Sequence, residues 1–166
     1  MTTQVFEKDG VQIFIDDDAQ NPRTEWDNLG TMVCFHKRYC LGDTGHGYRA
    51  EDFSGWDGLQ RQIEEDHGPC TILPIYMYDH SGLTISTEPF SCPWDSGQIG
   101  FIYCSEARAQ DQGVDAPIAA LESEVETYDQ YLCGECYGYE HGEDSCWGFY
   151  GYEPEELADA VLKGEV

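Results

Sequence analysis

The chain has 166 residues, 40% of them hydrophobic, and its 33 Asp plus Glu against 8 Lys plus Arg give a formal net charge of -25. That charge disfavours direct binding to nucleic acid or to an anionic membrane surface, both of which repel it. No run reaches the roughly 18 apolar residues of a membrane span, and MTTQVFEKDG carries charges where a secretion signal has an apolar stretch. A soluble cytoplasmic protein is therefore expected, of one domain over residues 1–166. Its eight cysteines then read as reduced thiols rather than as a disulfide framework.

Gln4-Val5-Phe6 and Val11 to Ile15 flank Lys8-Asp9-Gly10 and predict a β-hairpin, with Phe6, Val11, Ile13 and Ile15 turned inward. Ala19 to Asn28, with Pro22, reads as loop; Gly30 to His36 reads as strand; Tyr39 to Tyr48, with three glycines, reads as a second loop. A helix capped by Ser54 runs to Asp66, because Trp56, Leu59 and Ile63 share a face and Gly68 stops it. Cys70 to Cys104 is the longest apolar, β-branched and aromatic stretch and is expected at the centre of the fold. In its first strand Leu73, Ile75 and Met77 face one side, Ile72, Tyr76 and Tyr78 the other. Pro74 cannot donate to a ladder, which puts its end of the strand at an edge, a bulge or the strand's start. The turn Asp79-His80-Ser81-Gly82 leads to a second strand, Leu83 to Ser86, and Gly97 to Tyr103 supplies a third.

Asp115 and Pro117 open the clearest helix, in which Ile118, Leu121, Val125, Tyr128 and Leu132 repeat at 3,4,3,4. Its polar face carries Glu122, Glu124, Glu126 and Asp129 with no base to form i,i+4 pairs, so these carboxylates are expected to face solvent or a partner. Tyr137 to Glu140 and Cys146 to Tyr150 predict another hairpin, closed by His141 to Asp144, and a short helix follows from Pro154 to Lys163. The fold class is α+β: a mostly antiparallel sheet of about six or seven strands, with the Ser54 and Asp115 helices packed on it.

EWDNLGTMVCFHKRYCLGD at Glu25 to Asp43, YDHSGLTISTEPFSCPWDSGQIGFIY at Tyr78 to Tyr103, and EVETYDQYL followed by DSCWGFYG together resemble a family of small phage-encoded proteins without an assigned activity. The resemblance brings no catalytic residues with it. It implies a viral or mobile-element origin, and hence a host-cell cytoplasm. This chain departs from the family pattern in being more acidic and richer in cysteine, particularly at Cys133-Gly134-Glu135-Cys136.

Cys133, Cys136, His141 and Cys146 have the C-x2-C-x4-H-x4-C spacing of a zinc knuckle. Tyr137 follows the second cysteine, however, and Glu140, Glu143 and Asp144 crowd the loop. A hairpin whose cysteines act as small apolar groups is the expectation, with no metal and no cofactor. Asp79, His80 and Ser81 have the residue types of a hydrolase triad but are neighbours on one turn, where they cannot align. Cys34 and His36, two apart on a predicted strand face, make a conceivable thiolate-imidazole pair. The aromatics of the last hairpin, Tyr137, Tyr139, Trp147, Phe149, Tyr150 and Tyr152, should divide between core and surface.

The charge is uneven. Residues 1–61 hold six of the eight bases and 11 acids, while between Ala109 and Leu162 there are 14 acids and no base. A compact chain of this length is about 40 Å across, and 40 Å of duplex carries about 24 phosphate charges, close to the net charge here. The expected function is that of a DNA mimic, an inhibitor and not an enzyme. It would occupy the basic nucleic-acid-binding surface of a host defence complex, such as a CRISPR effector or a restriction enzyme. The partner-binding carboxylates are expected to be Glu122, Glu124, Glu126, Asp129, Glu135, Glu140, Glu143, Asp144, Glu153, Glu155, Glu156 and Asp159. The alternatives are a halophile-type acidic protein of unrelated function, or a small metal-binding or cysteine-dependent enzyme.

Overall fold

A computed structural model describes residues 2–166 of the chain. In chain order the elements are β1 (Gln4–Lys8), β2 (Val11–Ile15), α1 (Pro22–Glu25), β3 (Thr31–Cys34), α2 (Trp56–His67), β4 (Cys70–Asp79), β5 (Leu83–Ser86), β6 (Ser96–Ser105), α3 (Glu106–Asp111), α4 (Pro117–Cys133), β7 (Tyr137–His141), β8 (Asp144–Phe149) and α5 (Pro154–Lys163). The class is α+β, as expected. The single sheet of six or seven strands with two helices is corrected to two antiparallel sheets of four strands, β1-β2-β7-β8 and β3-β6-β4-β5, with five α-helices among the described residues. The strands belong to two compact units, residues 2–22 with Gln130–Val166, and Arg23–Asp129.

In the first unit the N-terminal hairpin pairs with the C-terminal one through β2 and β7, in the register Val11↔His141 to Ile15↔Tyr137. Alternation along β2 sends Val11 and Ile13 to one face, where both are fully buried with Tyr139 of β7. Helix α5 lays Leu157 and Ala158 on that face, and Phe6, Tyr137, Phe149, Tyr152 and Val161 close round it. Each Val, Ile or Leu so buried contributes about 1.5–3 kcal/mol. The helix starts where it does because Glu153 and Glu156 form a reciprocal capping box, the Glu153 amide donating to Glu156 Oε2 at 3.2 Å, with Pro154 in the first turn.

In the second unit β4 and β6 are the inner strands and β5 is an edge strand, so the Cys70 to Cys104 stretch supplies both central strands of this sheet and one of its edges. Pro74 is accommodated as its chemistry requires. Partner β5 pairs only with Tyr76 to Asp79, leaving Pro74 with β6 alone on one side, and a register shift follows at Ile75/Tyr76. Helix α2 takes Gly55, not Ser54, as its N-cap, and buries Leu59 and Ile63 against Val33, Phe101 and Tyr103. On α4 the buried stripe is Leu121, Val125 and Tyr128; Ile118, one turn earlier, is exposed. Two backbones meet closely at Gly100 of β6, where a Cβ would stand 1.8 Å from the Val33 carbonyl oxygen.

Candidate partner-binding surface

The acids of α4 divide. Glu122 and Glu126 are exposed, but Glu124 turns inward to Arg23, whose side chain is 1% exposed. Arg23 grips Asp43 with two nitrogens, at 2.7 and 2.8 Å, and donates to Glu124 Oε1 at 2.9 Å and to the Gly30 carbonyl at 2.9 Å. Glu124 also accepts from the amides of Leu29 and Gly30, at 3.0 and 3.1 Å. Burial alone would push the guanidinium pKa down; the two carboxylates outweigh it and hold the pKa above its ordinary value. Asp129 is likewise committed, accepting from Thr84 Oγ1 at 2.7 Å and the Ile85 amide at 2.8 Å, which fixes the start of β5. The expectation that the whole polar face of α4 points outward is thus corrected at Glu124 and Asp129.

On α5, Glu153 and Glu156 serve the capping box while Glu155 remains exposed. Asp159 pairs with Lys8 at 2.7 Å. Through that hydrogen bond, above all, the carboxyl of Asp159 is lowered and the ammonium of Lys8 raised from their usual pKa values. Glu135 is exposed between α4 and β7.

Strand pairing gathers the remainder. Because Val11 opposes His141 and His141 opposes Asp144, the β1–β2 turn lies beside the β7–β8 turn, and a Cβ on Gly10 would come within 3.8 Å of the His141 ring. Asp9, Glu140, Glu143 and Asp144, all exposed, therefore collect at one end of this sheet. Glu155 acts electrostatically on Lys8 at the same end, as does Asp9. Asp9 was not among the residues expected from sequence: its place in a hairpin turn is legible there, but its neighbour, some 130 residues on, is not. The unit that holds this end has 14 acids against Lys8 and Lys163, in about a third of the chain; the other has 19 acids against six bases.

The other candidates come apart. Cys136 is buried, its thiol pushed up to about 11 chiefly by that burial, while Cys133, His141 and Cys146 are exposed. Extended β7 separates Cys136 from His141 by about 16 Å at 3.3 Å per residue, and among the described residues no three His, Cys, Asp or Glu side chains are grouped to hold a metal. Strand β3 ends at Cys34, so Cys34 and His36 do not share a strand face. Burial, and then Asp43, pushes the Cys34 thiol up to about 12, the reverse of what a nucleophile needs. Asp79 accepts from Arg38 and Tyr39, whereas His80 faces Asp95 at 3.2 Å and Ser81 sits in a left-handed turn, φ 59°. Of the hairpin aromatics most join the core, and Trp147, partly exposed, lies 5.9 Å from Phe14 between ring centroids. No helix among the described residues is long and apolar enough to cross a membrane.

Compared with protein-family models, curated proteins and solved structures, the chain matches none.

Proposed function

We propose that this chain is an inhibitor of viral or mobile-element origin that occupies the nucleic-acid channel of a host defence complex, a CRISPR effector or a restriction enzyme, as a DNA mimic. The observation that carries the reading is the acidic sheet end, where Asp9, Glu140, Glu143 and Asp144 come from two hairpins with Lys8 as the neighbouring base. Carboxylates there stand in for phosphates opposite the Lys and Arg of a channel. Each exposed pair contributes only about 0.2–1 kcal/mol, so affinity comes from number, and long-range complementarity speeds encounter. Glu135 and Glu155 add to the acids of the unit that holds this sheet end, while Glu122 and Glu126 present exposed carboxylates on the other, where Glu124 and Asp129 are committed to Arg23 and to the start of β5. The viral origin rests on the resemblance of Glu25 to Asp43 and Tyr78 to Tyr103 to small phage-encoded proteins, and the action is stoichiometric and takes place in the host cytoplasm.

The test is displacement. A fluorescent 24-base-pair duplex bound to a CRISPR effector or a restriction enzyme is titrated with the protein, and anisotropy is followed. The proposal expects release of the duplex near one equivalent. Retention of the duplex at hundredfold excess across such a panel rejects it, and inactivation at a hundredth of an equivalent replaces it with an enzyme.

A further inference from the structure

The second unit has a cleft of about 890 Å3 that the acidic surface does not involve. It is lined by Cys34 and the loop that follows β3, together with Ala50 and the β6 residues Gln98 and Ile99. That volume falls within the range of small-molecule sites. Phe35, Leu41 and Ile99 supply apolar wall, and Cys34, neutral at any physiological pH, adds to it. The same lining includes His36, Lys37 and Arg38, consecutive in the chain, of which Lys37 and Arg38 are exposed.

This is the positive part of a negative chain. From His36 to Arg49 there are three bases and one acid; the acid, Asp43, also lines the cleft and is held by Arg23, while Arg38 pairs with Asp79 and Arg49, outside the lining, with Glu51 and Asp52. Lys37 is exposed and has no ion-pair partner among the described residues. The loop is also fixed before any ligand arrives. His36 Nδ1 accepts the amides of Arg38 and Tyr39 at 3.1 and 3.2 Å, so in the neutral ring the proton lies on Nε2. Arg38 and the Tyr39 hydroxyl are both fastened to Asp79, at 2.9 and 3.0 Å, and the Phe35 amide donates to the Ile99 carbonyl at 2.7 Å. A loop ordered in advance spares a ligand that ordering cost.

We infer that this cleft binds a small organic anion, its apolar body against Phe35, Leu41 and Ile99 and its anionic group on Lys37 and the His36 Nε2–H. The net charge of -25 does not forbid it, because charges beyond the Debye length of about 8 Å are largely screened at physiological salt. The site is independent of the proposed inhibition: it lies in the other unit and uses cations rather than carboxylates.

The probe is 8-anilinonaphthalene-1-sulfonate, compared with N-phenyl-1-naphthylamine, which has the same aromatic body without the sulfonate. Fluorescence titration of the full chain should give one saturable site for the anion. Lys37→Glu should weaken it at least tenfold and change the neutral probe less than twofold, and Lys163→Glu, in the other unit, should change neither. Lys37→Gln repeats the test with a milder substitution, and an unchanged near-ultraviolet dichroism spectrum confirms that each variant is folded. The inference is overturned by an absence of saturable anion binding below 1 mM, by equal affinity for both probes, or by an anion affinity that folded Lys37 variants leave unaltered.

Discussion

Arg23 and Glu124 set the residue scale, because a chain so short of cations buries one of them. Truncating one partner of a buried pair leaves the other charge uncompensated, at about 3–5 kcal/mol. Arg23 retains Asp43 and the Gly30 carbonyl, so Glu124→Ala is expected near the lower end, about 3 kcal/mol, in urea unfolding. Glu122→Ala, one turn-face away and exposed, should stay within about 0.5 kcal/mol; equal losses in the two variants would contradict the placement of Glu124. The sequence shows four acids on the polar face of α4 and no means to rank them, since Arg23 lies 101 residues from Glu124. Thiols make a second prediction. Cys40, Cys133 and Cys146 are exposed and should react promptly with Ellman's reagent; Cys104 and Cys136, which are buried, should react only on unfolding, and Cys34, which lines the cleft but whose thiol is pushed up to about 12, should react more slowly than the exposed three. A raised thiol pKa stabilises the fold below the unfolded value of about 9 and loses that stabilisation as pH climbs toward 12. Unfolding midpoints should therefore fall above pH 9, and less steeply in Cys34→Ala; identical slopes would remove Cys34 from the account.

At the scale of elements, most of the types and many bounds were legible. Leu83–Ser86 and Pro154–Lys163 fall where the sequence puts them, because strands and short helices are written in near neighbours. The division into two sheets was not legible. Both sheets are built from hairpins with the same alternation, and the pairing that separates them, Val11 with His141, joins residues 130 apart. The zinc-like spacing could not be judged from the sequence for a related reason: spacing alone does not say whether a strand or a tight turn lies between the cysteines and His141, and here β7 lies between Cys136 and His141. Two glycines test the sheets directly. A Cβ at Gly138 would meet the Trp147 ring at 2.0 Å, a side chain, whereas at Gly100 it would meet Val33 backbone at 1.8 Å. Gly138→Ala should cost about 1–3 kcal/mol, and Trp147→Ala in the same chain should recover part of it, as thermal unfolding would show. Gly100→Ala has no such remedy and should prevent β3 from pairing with β6, lost near-ultraviolet dichroism being the sign. Full recovery of Gly138→Ala without the Trp147 change would refute the close approach.

For the whole molecule the central claim is that charge, in number and at one sheet end, makes the contact. Glu153, Glu156 and Asp159 are poor positions for testing it, since their removal also disturbs the α5 cap and the Lys8 pair. Asp9→Asn, Glu140→Gln, Glu143→Gln and Asp144→Asn are better: all four are exposed, and Asn tolerates the left-handed backbone of Asp9, φ 48°. The decisive measurement is the dissociation constant for a defence complex that the protein inhibits, taken at about 50 and 200 mM salt for the natural chain and for this fourfold variant. Salt screens exposed charges over this range, so the natural chain should weaken at least about tenfold, any one substitution should have little effect, and the folded fourfold variant should lose binding. A dissociation constant that neither salt nor fourfold neutralisation changes would contradict it.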